Sequence, residues 1–194
     1  MTVGEQIRDI KGQLRLVMNG VAAQGMRDRG ICYKLNFGAS ILELVTISKD
    51  YTPSLELALA LWKDDIRECR MLAAMLAPAD CFTEDLADFW VSDIRYPDLA
   101  EVCSRYLFVK LPYASVMAFR WIAQQDAIVQ YCGYLILTQL LRQGRQISDS
   151  YRQELTDQCQ AALAGSELLP RRGAMAALQA LEENHGEGSD GTAE

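Results

Sequence analysis

Carboxylates, tyrosines and a few basic residues are the groups in this chain whose types and spacing allow chemistry. The one histidine, His185, stands in the stretch ENHGEGSDG near the end of the sequence. Ser-His, Cys-His and histidine-metal mechanisms therefore lack their imidazole. Six cysteines at 32, 69, 81, 103, 132 and 159 are never closer than twelve residues and form no CxxC pair. That spacing reads as reduced thiols in a core rather than a disulfide frame or a metal site. No Gly-rich phosphate loop, zinc signature or calcium loop occurs, so no cofactor is expected.

What remains is a carboxylate pair, Asp98 and Glu101, three residues apart and thus on one face of a helix. Glu101 also precedes Arg105 by four, the spacing of an ordinary intrahelical ion pair worth about 0.2–0.5 kcal/mol. The alternative is a carboxylate that stabilises a cationic transition state. Tyr33, Tyr96 and Tyr131 are the aromatics expected at a surface, and Arg27, Arg29 and Lys34 form a basic cluster that would meet phosphate or simply be solvated. The three tryptophans, Trp62, Trp90 and Trp121, each lie among apolar neighbours and are expected in the core.

Charge narrows the partners. Of 194 residues, half are apolar and 23% charged, a globular composition, and the net charge is −7. By segment the charge is +3 over 1–49, −8 over 50–101, +3 over 102–172 and −5 over 173–194. Strong non-specific duplex binding is disfavoured by that balance, whereas a local basic face is not. No apolar run approaches the roughly 20 residues of a membrane span, and the N-terminal MTVGEQIRDIKGQLR lacks the apolar stretch of a secretory signal, so a cytoplasmic protein is expected.

The elements that must hold these groups are helices throughout. Ile7, Ile10, Leu14 and Val17 step by three and four, a helical stripe, and a second helix is expected over about 20–29. Asn36-Phe37-Gly38 breaks the pattern as a turn; helices are then expected over about 39–48, 54–63 and 64–77. Thr83 is an N-cap followed by acidic Glu84 and Asp85; Pro97 and Pro112 each open a helix, and Asp126 caps a long apolar one with Gly133 inside it and Gly144 closing it. Ser148 or Asp149 starts the next, and Pro170 begins the last. About eleven helices form a single domain over 1–183, and the acidic, Gly-rich 184–194 is expected to be a disordered tail.

Internal similarity points to a repeat. LALALW at 57–62 with its following Ile66 and Leu72 is echoed by MAFRWI at 117–122 with Ile128 and Tyr134. Asp126-x-x-Val129-Gln130-x-x-Gly133 is similar to the second helix of a HEAT repeat, with glutamine in the place of the usual arginine. NFGASILEL at 36–44, LELALALW at 55–62, ECRMLA at 68–73, FWVSD at 89–93 and DLAE at 98–101, taken in order, resemble the DNA alkylation repair proteins of the AlkD type.

The resemblance implies an all-α HEAT-like helical-repeat solenoid, an α-α superhelix, with its function on the concave face. It implies binding of duplex DNA and hydrolysis of the N-glycosidic bond of alkylated purines. A carboxylate would stabilise the oxocarbenium-like sugar while aromatics and an arginine contact the backbone. Glu101 falls where that family's Trp-Asp-x-x-Asp pattern ends in aspartate, and Pro97 falls on its tryptophan. Tyr96 is the aromatic one residue before that pattern, Gln130 falls on the arginine, and Tyr131, Arg27, Arg29 and Lys34 complete the expected DNA-binding set. The alternative keeps the fold without the catalysis: a scaffold that holds a protein or peptide in the groove.

Overall fold

A computed structural model describes residues 1–186, and among them every regular element is a helix. The chain divides into two compact units, Met1–Phe82 and Thr83 onward.

The first unit holds α1 (Val3–Leu16), α2 (Gly20–Asp28), α3 (Ile41–Ser48), α4 (Leu55–Trp62) and α5 (Arg67–Leu76), with a 3-10 turn at Ala79–Cys81. Side-chain caps start most of these helices. Thr2 with Glu5 and Ser40 with Glu43 each close a capping box, while Asn19 and Ser54 cap α2 and α4. Hydrogen bonds from the caps hold the Glu5 and Glu43 carboxyls below the usual range. Pro53 stands just ahead of the Ser54 cap, outside α4.

The centre of this unit is α5, which packs against α3 and α4. Nearly all of it is buried, including Arg67, Glu68 and Arg70. Glu68 is the anchor for the irregular 30–40 segment. Its Oε2 accepts from the Phe37 backbone N–H at 3.0 Å, and its Oε1 accepts from Gly38 N–H at 3.0 Å and from Arg67 Nη1 at 3.1 Å. Arg67 in turn donates to the Ala39 carbonyl at 3.1 Å. Gly38 must be glycine, because φ is +72° and a Cβ there would lie 2.1 Å from the Asn19 carbonyl oxygen. An isolated parallel bridge between Leu35 and Ile66 ties the same segment to the start of α5.

The second unit holds α6 (Glu84–Asp93), α7 (Pro97–Tyr106), α8 (Ala114–Ile122), α9 (Ala127–Arg142), α10 (Asp149–Ala164) and α11 (Leu168–Gly186), with a 3-10 turn at Phe108–Lys110. Pro97 is the first residue of α7, and Asp126 caps α9 through Ile128 N–H and Val129 N–H. Pro112, by contrast, precedes the cap of α8, and α11 begins two residues ahead of Pro170. The hub is α9, which contacts α6, α7, α8 and α11, while α10 packs on α11. Trp90 and Trp121 lie in this core as expected, and Trp62 in that of the first unit.

At its end α11 runs past the expected boundary at 183. Asn184 is buried there, and its Nδ2 donates to the Leu141 carbonyl at 3.1 Å, tying this turn of α11 to the end of α9. The rest of the expected tail lies outside the described residues.

Removing the Glu68 carboxylate leaves two buried N–H groups and a buried guanidinium without their shared acceptor. Glu68→Ala is expected to cost about 3–5 kcal/mol in urea unfolding. A loss under about 1 kcal/mol would mean water replaces the carboxylate.

Candidate functional site around Glu101

The candidate carboxylate sits one turn into α7, after Pro97 has set the start of the helix. Leu99, Ala100, Val102 and Cys103 are buried, and α7 packs against α9 through this apolar side. Glu101 stands at the edge of that contact with its side chain 44% exposed. Its Oε1 accepts from the Tyr131 hydroxyl on α9 at 2.9 Å and pairs with Arg172 Nη2 on α11 at 3.2 Å. The Arg172 guanidinium lies 5.8 Å from the centre of the Tyr131 ring, over its face. Three helices thus meet at one carboxylate oxygen. The intrahelical pair with Arg105 that the spacing suggests is not the one formed.

Tyr131 was expected at a surface and is instead buried, 1% exposed, with only its hydroxyl reaching the Glu101 carboxylate. The reason is that α9 is covered on several sides by its neighbours, so an aromatic on it has little water to face. Burial, then the bond to Glu101, pushes the Tyr131 hydroxyl far above its usual range, so it remains a proton donor at all ordinary pH. Gln130, expected to face phosphate, is half-buried and spends its side-chain amide on the Gln124 carbonyl, tying down the turn before α9. Tyr96 is the half-buried N-cap residue of α7.

The expected basic cluster belongs to the first unit. Arg27 and Arg29 are exposed at the end of α2, two residues apart and so on different sides of it. Arg27 donates to Gln24 Oε1 at 2.8 Å and Arg29 to the Gly25 carbonyl at 2.9 Å. Lys34 is exposed on the following loop.

Elsewhere in the second unit, the acidic run in the first turns of α6 has a cation. Arg120 on α8 grips Asp88 with Nη2 at 2.8 and 3.0 Å and reaches Glu84 with Nη1 at 3.2 Å; Trp121 Nε1 donates to Asp88 at 2.7 Å. These acids are therefore more than a helix start, which the spacing within α6 alone did not reveal.

Four cysteines, 69, 103, 132 and 159, are buried as expected; Cys32 and Cys81 are exposed because they fall in a loop and in a 3-10 turn. Burial pushes the Cys69, Cys132 and Cys159 thiols up to about 12, so none is a thiolate nucleophile near neutral pH. Among the described residues no group of three His, Cys, Asp or Glu side chains is placed to hold a metal ion, and no helix is long and apolar enough to cross a membrane.

Arg172 is the residue that sequence reasoning missed. Its only signals were the Arg171-Arg172 doublet after Pro170 and its place at the end of a net basic segment. Neither points across the fold to Glu101.

The model of the DNA alkylation repair enzyme family matches residues 10–186. The chain belongs to that family. The fold agrees: a solved protein, described as one of a new family related to the HEAT-like repeat DNA glycosylases with affinity for branched DNA structures, superposes with a TM-score of 0.83. The superposition covers 93% of this chain and 77% of the other at 17% sequence identity. The fold of this DNA alkylation repair family member is thus the all-α HEAT-like repeat fold expected from its sequence. No protein of curated function matches its sequence.

Glycine at 173 sets how closely α11, and with it Arg172, approaches α9. A Cβ there would lie 2.8 Å from the Tyr134 Cβ and 3.2 Å from the Tyr131 ring. Gly173→Ala is expected to destabilise by about 1–3 kcal/mol. Gly12→Ala, where a Cβ meets nothing within 4 Å, is expected to stabilise α1 by about 0.5–1 kcal/mol. Thermal unfolding of both variants beside the parent checks the pair, and equal shifts would remove the packing argument.

Proposed function

We propose that this protein binds distorted or branched duplex DNA and leaves the N-glycosidic bond intact. Membership of the DNA alkylation repair family supports the DNA part of the reading. So does the solved protein of the same fold, whose own described affinity is for branched DNA structures.

The observation that carries the second part is the state of Glu101. A carboxylate that stabilises a cationic sugar must offer a field that nothing else cancels. The Glu101 Oε1 already holds the Arg172 guanidinium at 3.2 Å and the Tyr131 hydroxyl at 2.9 Å. An oxocarbenium-like sugar would compete with a permanent cation for that oxygen. Both partners of the ion pair are well exposed, so the pair adds little to stability, on the order of 0–1 kcal/mol. Its consequence is electrostatic: the charge that catalysis would use is matched in advance. Gln130, bound to the Gln124 carbonyl, brings no cation to restore the balance.

A second reading has one observation in its favour. Among the described residues Glu101 Oε2 accepts no hydrogen bond, and the Tyr131 hydroxyl holds the carboxylate in one orientation, as a working catalytic group requires. On that reading Glu101 is the group that stabilises the sugar cation during release of an alkylated purine.

Two assays separate these readings. Fluorescence anisotropy is expected to show tighter binding to a four-way junction than to linear duplex of the same length, weakening as salt rises. Incubation with alkylated duplex is expected to release no methylated purine. Release that disappears in Glu101→Gln would reject binding without hydrolysis and establish the second reading.

A further inference from the structure

The Arg172 guanidinium has the properties of an anion site rather than of a structural tie. Its side chain is 63% exposed, and among the described residues the 3.2 Å pair with Glu101 is its one polar contact. A guanidinium carries five N–H donors in a planar fork. Most of that fork therefore faces water, while its Cζ lies over the Tyr131 ring, 5.8 Å from the ring centre, at cation–π distance. The backbone beneath it is fixed as well: Gly173 leaves no room for a Cβ against Tyr134 and Tyr131, so α11 is seated closely on α9 at the next residue. A supported, pre-positioned guanidinium with unused donors loses little freedom when it meets a bidentate anion.

We infer that Arg172 is a binding site for a DNA backbone phosphate, with Glu101 the intramolecular carboxylate that holds the guanidinium in place and opposes the incoming phosphate. The inference rests on the DNA-binding reading above and assigns Glu101 a positioning role rather than a catalytic one. In the free protein the carboxylate holds the fork over the Tyr131 ring. In the complex a phosphodiester oxygen pairs with the donors that face water, close to a carboxylate that repels it. The two anions share one cation, so Glu101 sets the affinity of the site by opposition. Tyr131 completes the arrangement, because its hydroxyl anchors the carboxylate to α9 and limits how far it can follow the arginine.

Glu101→Gln keeps an amide oxygen to accept from Tyr131 but removes the negative charge, so DNA binding becomes tighter, by about threefold to tenfold at moderate salt. A catalytic role predicts a change in base release with little change in binding, and a merely structural role predicts no change or a loss. Arg172→Ala weakens binding by a similar factor, and its plot of log affinity against log salt is shallower by about 0.9, the loss of one phosphate contact. Arg172→Lys keeps the charge without the fork and falls between alanine and the parent.

The experiment is anisotropy with a fluorescent four-way junction over a series of potassium chloride concentrations, on the full chain. Circular dichroism and thermal unfolding of every variant accompany it. Tighter binding by Glu101→Gln together with a shallower salt slope for Arg172→Ala supports the site. Parent and Glu101→Gln proteins that bind alike, or an Arg172→Ala slope equal to the parent's, would overturn the phosphate site while leaving the DNA-binding reading in place. A parent that binds neither junction nor duplex would overturn both.

Discussion

The close seating of helices on α9 is the constraint on which the second unit depends. Two glycines make it possible from opposite partners. At Gly133 a Cβ would fall 2.7 Å from Ile122 Cγ2 and 2.8 Å from the Ala118 carbonyl, so α8 lies against bare backbone. At Gly173 a Cβ would meet Tyr134 and Tyr131, so α11 lies against their side chains. Glycine inside a helix costs about 1 kcal/mol relative to alanine, a cost that packing must offset. The offset here is a core in which Trp121, Tyr131 and Tyr134 are all within a few per cent of full burial. Only with α9 clasped in this way does the Tyr131 hydroxyl reach α7 at Glu101 and the Arg172 side chain lie over the ring.

The first unit solves a different problem by a similar route. An irregular segment, residues 30–40, has to pass next to buried backbone, and its N–H groups need acceptors away from water. Glu68 supplies them from the middle of α5, and Arg67 neutralises the carboxylate while also bonding to the Ala39 carbonyl. Both charged groups are buried, and such pairs are maintained only when each remaining lone pair and proton finds a partner. Gly38 is the third member of the device, since its left-handed backbone turns its N–H toward both Glu68 and Asn36.

Legibility in the sequence followed the range of the interaction. Most local signals were legible: the caps at Thr83 and Asp126, the Pro97 start of α7, the turn at Gly38 and the helix end at Gly144 all depend on residues within a few positions of each other, whereas Pro112 and Pro170 fell beside rather than at their helix starts. The helical content and repeat fold followed from periodicity that runs along most of the chain. Long-range partners left no such trace. Arg172 with Glu101, Arg120 with Asp88 and Glu68 with Gly38 each join residues thirty or more positions apart. Tyr131 was misplaced for a related reason: a tyrosine has an apolar body and a polar tip, and whether the body is covered depends on which helices lie above it. The same holds for Gln130, whose amide bonds to a carbonyl six residues back, a partner its position in the HEAT-like pattern does not reveal.

One substitution links the site to the surrounding helices. Where the family pattern ends in aspartate, this chain has Glu101, and the added methylene carries the carboxylate about 1.5 Å farther from the α7 backbone. That extension is directed toward α9 and α11, where a hydroxyl and a guanidinium receive it on a single oxygen. A shorter carboxylate would sit nearer its own helix, away from both partners, and would keep more of its field for whatever approached from solvent. The longer one is held by two neighbouring helices and its charge is matched by theirs. Glutamate at 101 and arginine at 172 are therefore best understood together. Each limits the chemistry of the other, so that the pair presents to solvent an arginine restrained by a carboxylate rather than a carboxylate alone.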